Sequence, residues 1–361
     1  MKIALLAPLW ETVPPIAYGG TELVVYILCE ELIKKGHDVT LYATACSKTS
    51  AKLKPVIQEP MRKSNVKFPI HCELKAISEL GKDHKKFDII HNHMGYQLLP
   101  FADFMDVPVV TTLHGAFVVK EDISFYNFYS NLNYISISNS QRKGAPDLNY
   151  ISTVYNGIQI EKYPFNPEPD LKDPYLTFLG RFSEEKGPHL AIEIAKATGM
   201  KLILAGKIDP NYADEVYFEA KVKPLIDNKQ IQFIGELQHK EKVELLKNSV
   251  ATLHPVTWPE PFGLVMAESM ACGTPVLALN QGSIPEVIAH NKTGFVENDV
   301  KSLIKHVQNI HKIDRKTCRE HIKDNFSGEK MTEGYLHSYQ NLINKKCSIT
   351  EANFKTQSVA T

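Results

Sequence analysis

Two carboxylates, Glu260 and Glu268, stand eight positions apart in the stretch WPEPFGLVMAESMACG, Trp258 to Gly273, on either side of Pro-Phe-Gly. Pro261 suits a first helical turn. The spacing therefore predicts a helix that begins near Phe262, with the amides of Phe262, Gly263 and Leu264 free to meet an anion. Gly263 lets a ligand approach the backbone. Along such a helix Glu268 lies roughly 9 to 12 Å beyond Glu260, too far for two carboxylates sharing one reaction centre in the manner of a retaining glycosidase. That separation suits one ligand held at two places, a sugar at Glu260 and a ribose diol at Glu268. The plainer reading makes Glu260 an acid favoured by the helix dipole and Glu268 a solvated position. Against it, Met266, Ala267, Ser269, Met270 and Ala271 describe a helix packed closely all round.

In LGRFSEEKG, residues 179–187, Arg181 and Lys186 leave a strand end five positions apart. Two cations there can neutralise a pyrophosphate, Arg through its bidentate fork, although a pair of plain surface charges would look the same. No D-x-D occurs in the chain, so positive charge for a nucleotide diphosphate has to come from side chains and helix termini rather than from a metal-holding acidic pair. In PPIAYGGTE the pair Gly19-Gly20 opens a helix that can admit a phosphate or sugar to its N-terminus, with Thr21 placed to cap it. This is not G-x-G-x-x-G, which disfavours a nicotinamide dehydrogenase. His114 in TTLHG and His93 in HNHMG each follow an apolar run, and both are placed to line a strand-end site. His91 and His93 form an H-x-H without a third ligand at metal-binding spacing, and no metal is expected.

These residues need a scaffold that delivers strand ends to one edge. Short apolar strands alternate with amphipathic stretches from end to end, the pattern of α/β folds with helices on both faces of a parallel sheet. KIALLAP, DVTLYAT, FDIIHNH, VPVVTTLHG and NYISISNS supply strands in the first half. YLTFLGR, KLILAG, IQFIGE, VATLHP, PVLAL and GFVEN supply them in the second, with helices around 187–199, 212–226, 239–248 and 262–272, and charged helical stretches from 299 to about 344. Four prolines in KYPFNPEPDLKDPY, residues 162–175, mark the join. The expected division is a first Rossmann-like domain over 1–165, a second over 166–327 and a loose tail over 345–361. Doubly wound sheets bind ligands beyond the carboxyl ends of their strands, so the cleft between two such domains is the expected place for chemistry.

Lys plus Arg and Asp plus Glu number 41 each, so no overall field recruits a polyanion and nucleic acid is excluded as a partner. The local excess of Lys48, Lys52, Lys54, Arg62, Lys63 and Lys67 against Glu59 is read as a solvated loop, which leaves open weak peripheral membrane contact or a phosphate-bearing acceptor. Six cysteines without a C-x-x-C pair fit reduced thiols and a cytoplasmic location. Cys29 and Cys272 fall in apolar helical patterns and are assigned to the core. MKIALLAPLW is taken as a buried first strand rather than a signal peptide.

In order, YGGTELVVYILCEELIKKGHDVTLYAT, TLHG, SNSQRK, YNGI, GRFSEEKGPHLAIEIAK, PEPFGLVMAESMACGTPVLALNQGSIPEVI and TGFVEN resemble family 4 of the retaining GT-B glycosyltransferases (glycosyl transferases group 1) over nearly the whole chain. The most specific element is the E-x7-E of Glu260 and Glu268 below Arg181 and Lys186. The resemblance implies two Rossmann-like domains facing a cleft, with a closing helix over about 328–344 returning to the first. It implies that Arg181 and Lys186 hold the donor diphosphate, that Glu268 holds the ribose, and that Glu260 with the amides after Pro261 meets the hexose. Gly19 and Gly20 would line the donor site, His114 would lie near the sugar, and the backbone at Gly235 and Glu236 would meet the base. The implied activity moves a hexose from a nucleotide-diphosphate sugar, UDP-hexose first and GDP-mannose second, to an acceptor hydroxyl on a small molecule, glycan or lipid carrier, without metal or cofactor. A GT-B phosphorylase, a sugar-nucleotide epimerase and a non-catalytic sugar-nucleotide binding module are the alternatives.

Overall fold

The computed structural model describes the chain apart from Tyr18, Asp170, Leu171, Pro210, Asn211 and residues 359–361, and apart from the side chains of Tyr212 and residues 347–358. Two units result. Unit 1 comprises Met1–Ile137, Arg142–Gly157 and Gly328–Thr361, and unit 2 comprises Ser138–Gln141 and Ile158–Ser327. The chain changes unit at residues 157/158 instead of the expected 165/166. Ile158 already belongs to unit 2, where it bridges to Ser327 and its N–H donates to the Phe326 carbonyl at 2.9 Å. Residues 138–141 are held in unit 2 by Glu286, whose carboxylate accepts from the amides of Asn139 at 2.8 Å and Ser140 at 2.7 Å.

Unit 1 is built on a seven-stranded sheet of β1 (Lys2–Leu6), β2 (Asp38–Thr44), β3 (Lys52–Ile57), β4 (Ile89–Asn92), β5 (Val109–Leu113), β6 (Asn133–Ser136) and β7 (Tyr150–Thr153), in the order β3-β2-β1-β4-β5-β6-β7. All its pairings are parallel, with Ile3 registered against Val39 on one side and Ile89 on the other. Ile3, Leu5 and Leu6 are fully buried, as expected for a central strand covered on both faces. β3 and β7 lie at the edges and carry weak apolar signals. KLKPVI holds two lysines and a proline, which an edge strand tolerates because one side makes no ladder bonds. β3 therefore occupies part of the basic stretch expected as a solvated loop. Three of its cations are paired locally, Lys54 with Asp83 at 3.2 Å, Arg62 with Glu11 at 2.6 Å and Lys63 with Glu59 at 2.6 Å.

Unit 2 has six strands, β8 (Tyr175–Leu179), β9 (Lys201–Ala205), β10 (Ile231–Phe233), β11 (Ala251–His254), β12 (Val276–Leu279) and β13 (Gly294–Glu297), in the order β10-β9-β8-β11-β12-β13 and again all parallel. Counted from its own first strand, each sheet begins 3-2-1-4-5-6, the dinucleotide-fold order. Its topological switch lies between β1 and β4 in unit 1 and between β8 and β11 in unit 2. Chemistry is expected in the loops leaving the carboxyl ends of those four strands.

Three helix boundaries differ from the sequence reading. The Gly20–Lys34 helix is capped by Gly19, and Thr21 sits inside its first turn without a side-chain capping bond. The Leu264–Ala271 helix starts after Phe262, with left-handed Gly263 as its cap. The turn that closes Glu260 N–H on the Trp258 carbonyl at 2.8 Å keeps Pro261 and Phe262 outside the helix. The last helix runs from Gly328 to Ser358, through most of the span expected as a loose tail from 345. Lys345, Lys346, Glu351, Ala352, Lys355 and Gln357 are good helix formers, which a reading based on apolar period does not register. Residues 359–361 lie outside the described residues. Among the described residues no helix is long and apolar enough to cross a membrane.

Candidate active site

At the switch point of unit 2 the loop after β8 meets the loop after β11. Gly187 allows the approach. Its φ is 72°, and a Cβ there would fall 2.2 Å from the Pro255 carbonyl oxygen. The loops bring Lys186 Nζ to Glu260 Oε2 at 2.5 Å, with the lysine over the Trp258 ring at 4.6 Å and Trp258 Nε1–H donating to the same carboxylate oxygen at 2.9 Å. Glu260 is buried. Burial works to raise its pKa, yet Lys186, then His254 and the two hydrogen bonds, outweigh it and hold the carboxyl below the usual carboxylate range. His254 closes the group, its buried Nε2 3.8 Å from Glu260 Oε2. Burial lowers the His254 pKa to about 4, so that contact is between a carboxylate and a neutral ring.

The other predicted residues of unit 2 have partners of their own. Arg181 is half-buried and bonds Glu185 at 2.5 Å, with Asp209 at 3.9 Å and Asp214 at 3.8 Å. Glu268 is buried and takes Lys242 Nζ at 2.6 Å and the Tyr163 hydroxyl at 2.7 Å on one oxygen. Gly235 and the exposed Glu236 follow the end of β10, where the Gly235 carbonyl accepts from Gly206 N–H at 2.8 Å. Pro261 and Phe262 do not supply a helix terminus. Phe262 is a core residue with its ring 5.7 Å from that of Phe326, so Gly263 and Leu264 alone stand at the helix start.

Unit 1 holds its own cavity of about 340 Å³ at the ends of β1 and β4. Gly19, Gly20, Glu22, His93, His114 and Arg62 are among its lining residues. Adjacent parallel strands β4 and β5 end side by side, which sets His93 Nδ1 2.9 Å from His114 Nε2. His93 Nε2 lies 3.1 Å from His91 Nδ1, and His91 bonds the Tyr339 hydroxyl at 2.6 Å and Thr112 Oγ1 at 2.7 Å. The H-x-H nitrogens are thus committed to one another and to hydroxyls. Burial depresses all three rings, His114 to about 4 and His91 and His93 well below the ordinary value. Burial drives Glu22 the other way, to about 7.

Residues 159–326 match the family model of glycosyl transferases group 1, and residues 18–162 match that of glycosyltransferase family 4. The chain belongs to the family 4, group 1 glycosyltransferases. This glycosyltransferase is 26% identical over 367 residues to glycogen synthase of Mycobacterium tuberculosis, with 86% of each chain covered. Sucrose-phosphate synthase from Thermosynechococcus elongatus has the same fold, with a TM-score of 0.79 at 19% identity over 96% of this chain and 100% of that one. The Anabaena protein HepE in complex with UDP and glucose gives a TM-score of 0.74 at 17% identity over 95% and 100% of the two chains. The two parallel sheets are those of the GT-B fold.

Sequence reasoning about this glycosyltransferase missed His254, Trp258, Lys242, Tyr163 and Glu22, all of which touch or adjoin a predicted residue. His254 carried a usable signal, since it ends an apolar strand in the same way as His93 and His114 do. Lys242 and Tyr163 carried none, because their elements come together only in three dimensions.

Proposed function

We propose that this glycosyltransferase transfers a hexose from a nucleotide-diphosphate sugar to an acceptor hydroxyl with retention at the anomeric carbon and without a metal, UDP-hexose being the first choice of donor and GDP-mannose the second. The observation that carries the reading is Lys186, held 2.5 Å from buried Glu260 at the switch point of unit 2. An ammonium kept in a mostly buried place by a carboxylate is a preformed counter-charge for an arriving phosphate. Arg181 adds a second cation, and the start of the Leu264–Ala271 helix adds amides. Glu268 and Lys242 would take the ribose, and Gly235 with Glu236 the base. His114 and the Gly19-Gly20 turn are the unit 1 groups that would meet the sugar. The complex of HepE with UDP and glucose supports a UDP-linked donor. The absence of D-x-D supports charge neutralisation by side chains. Free thiols at the five described cysteines accord with a cytoplasmic enzyme.

In the reaction the bond from the anomeric carbon to the diphosphate oxygen breaks, and its electron pair leaves on the phosphate. The acceptor oxygen bonds the same face of that carbon, and its proton passes to the departing phosphate oxygen. Lys186 and Arg181 stabilise the charge that develops. Glu260 carries two donors on Oε2, which suits it to orient Lys186 and the sugar, and a covalent route through Glu260 is the weaker alternative.

A thermal-shift and hydrolysis panel of UDP-, GDP- and ADP-sugars, with and without EDTA, tests this reading. A shift with a UDP-sugar that survives EDTA is expected, together with free nucleotide on acceptor addition. Lys186→Ala should weaken nucleotide affinity by about a hundredfold, the scale of losing one partner of a buried charged contact. A shift abolished by EDTA would end the metal-free assignment, and unchanged affinity in Lys186→Ala would end the diphosphate assignment. Sugar release that depends on inorganic phosphate would favour a phosphorylase.

A further inference from the structure

The three histidines of unit 1 form one continuous chain, and its hydrogen positions follow from its buried end. Tyr339 is fully buried, and among the described residues its hydroxyl has one hydrogen-bond partner, His91 Nδ1 at 2.6 Å. Burial holds the Tyr339 phenol well above its ordinary pKa, so the hydroxyl keeps its hydrogen and must give it to that nitrogen. His91 Nδ1 is therefore bare and Nε2 carries the hydrogen, donated to Thr112 Oγ1 at 2.7 Å. The Thr112 hydroxyl in turn donates to the Tyr335 hydroxyl at 3.3 Å, in agreement. The one lone pair of a bare His91 Nδ1 is shared between the Tyr339 hydroxyl at 2.6 Å and His93 Nε2 at 3.1 Å, and the longer contact is a hydrogen bond rather than two opposed lone pairs only if His93 Nε2 carries the hydrogen. His93 is neutral, so its Nδ1 is bare and accepts from His114 Nε2–H at 2.9 Å. His114 is neutral in its turn, which leaves Nδ1 without a hydrogen.

We propose that His93 is a positioning residue that ties His114 in the Nε2–H form through buried His91 and the Tyr339 hydroxyl behind it, so that His114 offers a bare Nδ1 to accept a hydrogen bond from a substrate hydroxyl. The role of His114 toward substrate rests on the sugar-transfer reading above, whereas the tautomer assignment does not. The chain is an orienting device and not a proton exit, because it ends on Tyr335 and Tyr339, both fully buried. A neutral ring with fixed polarity discriminates by geometry. It accepts from a hydroxyl, and a substrate lacking that hydroxyl leaves Nδ1 unpaired.

The test is side-chain nitrogen NMR of the whole protein labelled with 15N-histidine, combined with kinetics. His91, His93 and His114 should all show the Nε2–H tautomer. His93→Leu should bring His114 into a mixture of tautomers and lower kcat about tenfold, the scale of one hydrogen bond, with KM for the nucleotide sugar unchanged. His93→Gln can accept from His114 and donate to His91, and should restore most of the rate and the single tautomer. An Nδ1–H signal for His114 in the wild-type protein overturns the proposal even if His93→Leu fails to fold. So does His93→Leu at wild-type kcat. A wild-type protein with the expected tautomers but no transfer from any nucleotide sugar would instead count against the sugar-transfer reading and leave the chain standing.

Discussion

Two buried carboxyls, Glu22 and Glu260, meet opposite fates, and the difference lies in what each side chain touches. Glu260 has Lys186 at 2.5 Å and stays ionised. Glu22 lies in the first turn of the Gly20–Lys34 helix, where the dipole favours an anion. Burial nevertheless dominates, Glu11 adds repulsion that Arg62 only partly offsets, and the pKa rises from 4.5 to about 7. A carboxyl raised in the folded state keeps its proton when the unfolded chain has lost it. Its contribution is complete below the unfolded pKa of about 4.3 and is lost as pH rises through the folded value. Between roughly pH 4.5 and 7 the wild-type protein should therefore lose on the order of 3 kcal/mol from this group. Glu22→Gln has no proton to lose and should flatten that slope. Urea midpoints of the two proteins, measured at half-unit steps from pH 4.5 to 8, check the prediction, and parallel curves would refute it.

The element that fixes the unit 2 site is the close passage of the β8 loop over the end of β11, made at Gly187. Gly199 is a natural control, with φ at 70° against 72° for Gly187 but no atom within 4 Å of its would-be Cβ. Gly199→Ala pays only the backbone strain of a left-handed residue, about 1 kcal/mol. Gly187→Ala adds a clash with the Pro255 carbonyl at 2.2 Å and should cost about 3 kcal/mol or more. Because the clash pushes apart the loops that carry Lys186 and Glu260, nucleotide affinity should fall with stability in Gly187→Ala and hold in Gly199→Ala. Calorimetric titration of both variants against UDP decides it. All six strands of unit 2 were legible as apolar runs: the inner four are covered on both faces and must be apolar almost throughout, and the edges β10 and β13, though only partly buried, still carry Ile231, Phe233, Phe295 and Val296. The edges β3 and β7 were not, since half of each faces away from the core and its residues need not be apolar. The helix start at Leu264 was misplaced because Pro261 signals a first turn equally well whether the chain enters the helix at once or turns first. Lys186 and Glu260 were each legible by type and by strand-end position, but the salt bridge between them, across 74 positions, became visible only when β8 and β11 were seen as neighbours.

At the scale of the whole chain, the peptide leaves unit 1 at Gly157 and returns at Gly328 to complete it. The return is structural. Met331 Sδ accepts from Gly157 N–H at 3.1 Å, Ser338 bonds Ser152 at 2.8 Å, and Tyr335 and Tyr339 bury their rings entirely against the histidine chain. Unit 1 is thus discontinuous in sequence and has no complete core until the last helix is made. Removing two buried tyrosines alone would cost several kcal/mol, since each large-to-small change of a buried aromatic costs about 3 to 5, close to the whole stability of an ordinary domain. Truncation after Ser327 should therefore unfold unit 1 while unit 2, whose sheet receives no strand from the lost segment, keeps its own melting transition. Truncation after Lys346 retains Met331, Tyr335, Ser338, Tyr339 and Leu342 and should leave both transitions near their wild-type temperatures. Differential scanning calorimetry of the two truncations separates these outcomes. Equal damage from both would place the anchoring contacts beyond Lys346, and an intact unit 1 after loss of residues 328–361 would show that the histidine chain holds without its tyrosine end.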